Sequence, residues 1–272
     1  MTDVLLFLAA PFVACLILVA ILGYLGLHVL EREIIFVDLA LAQIAALGTV
    51  VSMVFGHEPH SAAAFAFALG STVIGAAVFS FTRTKESGVP QEALIGITFV
   101  VASAATIVVA DLAPEGAEHV KELLAGAIVW VTWPSVARIL AVCGVVGLFH
   151  YLFRQRFLAI SEGADAARAA GIGIRRWDFL FYLSFGLVIT VAVEIAGVLM
   201  VFAYLVAPAI VALASSRRWG VRLMVAWGVG GAASAIGLLA SYRWDFPSGP
   251  AIVCALGLLL VSYAGWRRVR RV

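Results

Sequence analysis

The stretch EIIFVDLALAQIAALGTVV, residues 33 to 51, sets a carboxylate, Asp38, and a carboxamide, Gln43, into a run otherwise suited to lipid. A charged side chain inside a membrane helix is costly, so it usually faces a bundle interior or a watered cavity and marks a substrate or ion route. Five residues apart, the two side chains lie about 140° apart around a helix. A carboxylate with a carboxamide is a hard oxygen set, better suited to manganese, iron or a transiently bound hydrated ion than to tight zinc ligation. Glu194 interrupts a second apolar run, TVAVEIAGVLMVF. Two short polar stretches carry further metal-ligand types: GHEPH offers His57, Glu58 and His60, and EGAEHVKE offers Glu115, Glu118, His119 and Glu122. Each has a plainer reading. Asp38 could pair with Arg32, Gln43 could join two helices by a hydrogen bond, Glu194 could sit at a hairpin tip, and the two stretches could be solvated loops.

Composition sets the solvent of the elements that must position these groups. The 272-residue chain is 64% hydrophobic and 12% charged, with a mean hydropathy of +1.09, whereas soluble domains run nearer a quarter charged. The fold class is all-α: a polytopic integral membrane helical bundle of about eight to nine transmembrane helices. A barrel would need short segments alternating apolar with polar, and runs such as 142–149 and 251–261 do not alternate. Spans are expected near 4–30, 34–56, 61–82, 93–112, 135–153, 179–195, 197–214, 223–241 and 251–266. The 179–214 stretch reads as two helices, or as one crossing and a half-helix. Residues 123–133 are too short to span and are expected re-entrant or at the interface. The first run lacks a basic leader and is read as a retained span. No repeat or linker divides the chain, so 1–272 is expected to form a single domain.

Charge orients the spans. With 31–33, 83–92, 154–178, 215–222 and 267–272 on one side, every Lys and Arg except Lys121, Arg138 and Arg243 falls there, which makes that side cytoplasmic. The loops carrying His57, His60 and His119 then face outward. His28 and His150, near cytoplasmic span ends, are expected at the interface, and Arg138 is read as a headgroup anchor. Cys15, Cys143 and Cys254 lie in apolar runs without metal spacing and are read as small core residues. No phosphate-binding GxxxxGK[ST] loop, HExxH helix or GxSxG elbow is present. The chain therefore reads as a transport subunit and not an enzyme, with ATP chemistry supplied by a partner. The basic rim is what any such topology shows, so nucleic acid is not a partner. The cytoplasmic segment 157–178 is Ala-rich and helix-competent from Glu162 to Ala170, with Gly171 as its stop.

That segment, followed by GVLMVFAYLVAPAIVALASS and SYRWDFPSGPAIVCALGLLL, resembles the permease subunit of metal-type ABC importers, the zinc, manganese and iron uptake family. VPQEALIGITFV and LLAGAIVWVTWPSV are similar to the family's Glu-x-x-Leu-Gly-Ile and Leu-Phe-Gly segments, in the same order over nearly the whole chain. The resemblance implies a permease dimer in a bacterial plasma membrane, two ATP-binding subunits docked on the cytoplasmic segment, and an extracytoplasmic solute-binding protein. It implies that Asp165, Arg168 and Gly171 lie in the coupling helix, that Pro208 bends a pore-lining helix, and that Asp245, Pro247 and Ser248 shape the outer mouth. With Pro208, the residue types of Asp38, Gln43 and Glu194 make them candidates for the substrate pathway, and Asp38, Glu194, His57, His60 and His119 are candidate metal ligands. The family's second span has Gly-Asp-Ala-Leu-x-His-Ala; here Leu39 and Gln43 stand at its Asp and His, so the usual chelating pair is absent. A different class of function, a stand-alone cation channel or secondary carrier, would use Asp38 and Glu194.

Overall fold

A spanning segment has no water to bond its peptide groups, so its N–H and C=O groups must pair internally, and the apolar runs close into helices. The computed structural model describes residues 2–82, 90–113, 116–126, 128–163, 167–168 and 171–270. Its helices are α1 (Thr2–Glu31), α2 (Val37–Val54), α3 (Ala62–Thr82), α4 (Gln91–Ala110), α5 (Gly116–Ala125) and α6 (Trp133–Leu152). They continue with α7 (Arg154–Glu162), α8 (Ile174–Ala196), α9 (Val198–Ser215), α10 (Trp219–Trp244) and α11 (Ser248–Val269). Among the described residues there is no strand, and nine helices, all but α5 and α7, are long and apolar enough to cross a membrane.

The stretch 179–214 resolves into two helices broken at Gly197, whose φ of 77° ends α8 and opens α9. Residues 123–133 are not one element but the end of α5, a 3-10 turn at Ile128–Trp130 and the start of α6. Helices α8, α10 and α11 run past their expected ends because Arg175, Arg176, Arg222, Arg267 and Arg268 belong to the helices themselves. Long basic side chains can lie along apolar surface while their charge reaches water.

The helix expected from Glu162 to Ala170 falls mostly outside the described residues, of which Ala167 and Arg168 are helical; ahead of it α7 begins at Arg154, where Phe157 and Ile160 share one face and are buried. Gly163, at φ 141°, follows α7. Gly171 has φ 68°, with Ile172 N–H donating to the Ala167 carbonyl and Gly171 N–H to that of Arg168, the paired bonds of a Schellman stop.

The chain divides into two compact units. The first comprises Met1–Leu30, Ala125–Gly144 and Ile195–Val272. There α9, α10 and α11 pack together, and small residues let backbones approach. Gly26 of α1 lies against the Leu205 carbonyl, next to a cluster of Leu27, Ala209, Ala212 and Ala226. His28 is not at the interface but fully buried, its ring 4.7 Å from Tyr24 and 4.9 Å from Trp219.

The second unit comprises Glu31–Leu124 and Val145–Glu194. Helix α2 packs on both α3 and α4. A Cβ on Gly48 would stand 2.6 Å from the Phe67 carbonyl oxygen, so glycine is what permits the α2–α3 approach. Polar bonds tie in α8: Thr72 and Thr190 hydroxyls meet at 3.3 Å, and Gln91 Nε2 donates to the Tyr182 hydroxyl at 2.9 Å. His150 is also buried, not interfacial, because Phe157 of α7 folds over it in a parallel stack at 4.1 Å. Cys15 and Cys143 are buried as expected of small core residues, whereas Cys254 is exposed on α11.

Candidate functional site

Asp38 stands in the first turn of α2, 2% exposed, and its Oδ1 has no hydrogen-bond partner. Helix α2 has no side-chain cap from its own N-cap residue. Glu92, at the start of α4, supplies one, its Oε1 accepting the Phe36 N–H at 3.1 Å. Glu92 Oε2 is also buried without a partner, and the Glu92 charge acts on Asp38. Leaving a buried acceptor unsatisfied costs roughly 1–3 kcal/mol, so two such oxygens from neighbouring helices are a place where a cation or proton gains. Gln43 is half-buried farther along α2.

The pairing of Asp38 with Arg32 does not form, because Arg32 is committed elsewhere. Its Nη1 donates to Asp178 Oδ1 at 3.1 Å, with both side chains fully buried. Its Nε donates to Ser161 Oγ at 2.9 Å and its Nη2 to the Phe157 carbonyl at 3.4 Å, while the guanidinium lies 4.0 Å from the centre of the Phe181 ring. Glu33, at φ 57°, bends the chain just after Arg32, between α1 and α2. One arginine thus pins the α1–α2 joint to α7 and to the first turns of α8. Sequence reading did not find this group, since Arg32 and Asp178 are 146 residues apart and nothing in either neighbourhood names the other.

At the other end of the second unit, three elements bring metal-ligand types together. Ser61 caps α3, its Oγ accepting the Ala64 N–H at 3.1 Å and donating to the Glu58 carbonyl at 2.7 Å, which holds His60 just before the helix. Helix α5 carries His119; beside it Val120 packs on the cluster of Val50, Met53, Ala110 and Ala113. Glu194 lies in the last turn of α8. His60 Nδ1 is 3.7 Å from Glu194 Oε1, the His60 and His119 rings meet edge to face at 6.0 Å, and His119 Nδ1 is 3.9 Å from Glu122 Oε2. Burial pushes the His119 imidazole below the ordinary histidine range, His60 adds to that, and Glu122 and Glu194 oppose it. Both His119 ring nitrogens are without hydrogen-bond partners. His57 does not join the group; it is exposed, with its ring 6.1 Å from Phe67. Among the described residues no three such side chains already stand where they could hold a metal ion.

The remaining candidates lie in other places. Pro208 is buried inside α9, where its missing N–H leaves the Tyr204 carbonyl without its helical donor. Tyr204 also bonds Ser234 by its hydroxyl at 2.6 Å. Asp245 takes a left-handed φ of 55° at the end of α10, Ser241 Oγ donates to the Phe246 carbonyl at 2.6 Å, and Pro247 precedes α11 with Ser248 buried behind it. Exposed Trp244 and Phe246 stack at 6.2 Å there, as interfacial aromatics do. Arg168 and Gly171 are exposed; Asp165 lies outside the described residues. Gly126, from the LLAG segment, has φ 66° and lies directly on the Ala196 carbonyl, so both its angle and its space require glycine.

Nine candidate spans and no strand among the described residues define a polytopic α-helical membrane protein, with buried polar groups at both ends of one helical unit. Residues 5–265 match the ABC-3 model, the ABC 3 transport family, and the chain belongs to that family. It is 24% identical over 238 residues to the "Manganese transport system membrane protein MntC" of Listeria innocua, covering 85% of this chain and 80% of that protein. It is 26% identical over 177 residues to the "Chelated iron transport system membrane protein YfeD" of Yersinia pestis, covering 65% of this chain but only 59% of that protein. The fold is shared with the structure of PsaBC from Streptococcus pneumoniae in complex with Fab, at TM-score 0.79, 21% identity, and coverage of 96% and 93% of the two chains.

Proposed function

We propose that this chain is the permease subunit of an ATP-driven importer that carries a divalent metal ion, manganese or iron ahead of zinc, into the cytoplasm. The observation that carries this reading is the family match over residues 5–265, which relatives named for manganese and chelated iron transport support. A stand-alone channel or carrier built on Asp38 and Glu194 is not favoured, since those relatives are subunits of transport systems. The chain works as one permease domain of a bacterial plasma-membrane complex. It pairs with a second copy, receives its ion from an extracytoplasmic solute-binding protein and takes its drive from a separate ATP-binding subunit.

That ATPase docks on residues 157–178, with Asp165, Arg168 and Gly171 at the contact. Its closure moves α7, and Arg32 passes the movement to the α1–α2 joint and α8 through the buried bonds to Ser161 and Asp178. Helix α2 then carries Asp38 and Gln43 along the ion's path. A carboxylate and a carboxamide bind a divalent ion weakly enough to let it go, which conduction requires. Pro208 bends the pore-lining helix α9, and Asp245, Pro247 and Ser248 shape the outer mouth. The test is uptake into proteoliposomes that hold the permease, its ATPase and its binding protein. ATP-dependent accumulation of manganese or iron is expected; downhill flux that ignores ATP would overturn the reading.

A further inference from the structure

We infer that His60, His119 and Glu194 form a capture site for a divalent first-row transition-metal ion at the outward end of the second unit. The site's place in transport rests on the importer reading above, while its chemistry does not. His119 is 5% exposed, yet neither ring nitrogen has a hydrogen-bond partner. A buried imidazole left so is expensive and asks for a ligand. His60 approaches it edge-on, and Glu194 stands beside His60 at 3.7 Å, too far for a hydrogen bond and close to the spacing of two ligands on one ion. Metal–ligand bonds of about 2.0–2.2 Å put neighbouring donors roughly 3.3 Å apart.

The 6.0 Å between the two rings must therefore shrink as the ion arrives. The mobile member is His60, whose side chain is 64% exposed and free to turn, whereas His119 is held by its burial. Glu122, exposed on α5, can add an oxygen from the solvent side. Two imidazoles and a carboxylate with open positions suit zinc, iron(II), cobalt(II) or manganese(II) and discriminate against magnesium and calcium, which prefer oxygen alone. A site that must assemble around its ion binds weakly and releases readily, as a first stop on a pathway should.

The experiment is a titration of the permease in lipid nanodiscs with Co²⁺, read by the visible absorption that nitrogen ligation induces. Wild type is expected to bind one ion per chain with imidazole-type bands. His60→Ala and Glu194→Gln should each weaken binding by at least the roughly 10- to 100-fold that even an outer-shell partner contributes. His57→Ala, on the same loop, should change nothing. His60 lies on an exposed loop, so that variant separates ligand loss from misfolding of a His119 variant. A spectrum of hydrated Co²⁺ alone on wild type, or equal binding by the His60 and Glu194 variants, would overturn the site while leaving ATP-driven uptake to stand or fall by itself. Binding with no uptake of any metal would keep the site and defeat the importer reading.

Discussion

Removing the Asp178 carboxylate should cost this protein more stability than almost any other single truncation in the second unit. Arg32 and Asp178 have fully buried side chains 3.1 Å apart. With Asp178→Ala the guanidinium keeps Ser161, the Phe157 carbonyl and the Phe181 ring, but loses the carboxylate that it meets at 3.1 Å with both side chains buried. Breaking a buried pair from one side costs about 3–5 kcal/mol. At about 2–4 °C per kcal/mol for chains near this size, the thermal midpoint should fall by about 6–20 °C. The assay is thermal unfolding in detergent followed by circular dichroism. The double variant Arg32→Met with Asp178→Leu should recover most of the loss, because an apolar pair of similar volume is often as stable as the ion pair it replaces. A midpoint within about 3 °C of wild type for Asp178→Ala, or a double variant no better than the single, would refute the anchoring role.

Asp38→Asn keeps shape but replaces a carboxyl oxygen of the α2 oxygen site by an amide nitrogen, and ATP-dependent uptake should drop at least about tenfold, a change of roughly 1.4 kcal/mol, with ATPase activity retained; unchanged uptake would take Asp38 off the path. Arg168→Ala together with Asp165→Ala should uncouple hydrolysis from transport, seen as ATP turnover no longer raised by the loaded binding protein; normal stimulation would move the docking contact elsewhere. Gly126→Ala meets both a left-handed φ and the Ala196 carbonyl and should destabilise by about 1–3 kcal/mol, read as a lowered thermal midpoint; a neutral result would mean the backbone there yields freely. For His119 the sign follows from burial: with the folded imidazole held below its ordinary value of about 6.5, the unfolded chain binds the proton first as pH falls. The stability contributed by neutral His119 is present above about pH 6.5 and drains as pH falls through the lower folded value, against a background set by His60, Glu122 and Glu194. His119→Gln should therefore lose less stability than wild type between about pH 7.5 and 5, and equal slopes would refute the assignment.

The spans were legible because each is a local property, an apolar run of a length fixed by the bilayer. Their polar contents were legible as types but not as partners. Arg32 looked closest to Asp38, six residues on, yet the bend at Glu33 and the start of α2 separate them and give Arg32 to Asp178. His150 looked interfacial because it stands near a span end, and only the return of α7 over that end buries it. Helix α7 is not legible in the sequence because the burial of Phe157 depends on His150 and Trp177 of other helices. On the outer side, GHEPH and EGAEHVKE named His60 and His119 as metal-ligand types, and Glu194 stood out for its charge. Their convergence needed Ser61 to fix the start of α3 and Val120 to seat α5.

Helix α2 connects the two groups of polar residues and limits how they can act together. From Asp38 to Val54 it runs sixteen residues, about 24 Å at 1.5 Å per residue, and the GHEPH loop follows directly. No single ion can touch Asp38 and His60 at once, so the outer histidines and the inner carboxylates must act in succession. Between them α2 offers Gln43, Thr49 and Ser52, and the last two spend their hydroxyl protons on carbonyls of their own helix, those of Ala45 and Thr49. On the proposed path, Gln43 is therefore the side chain of α2 left to meet an ion before Asp38. With glutamine in place of the family's histidine, that meeting is weak and oxygen-based. A strong ligand there would trap the ion halfway. On the proposed path the outer imidazoles catch the ion at one end, and the carboxyl groups of Asp38 and Glu92 receive it at the other.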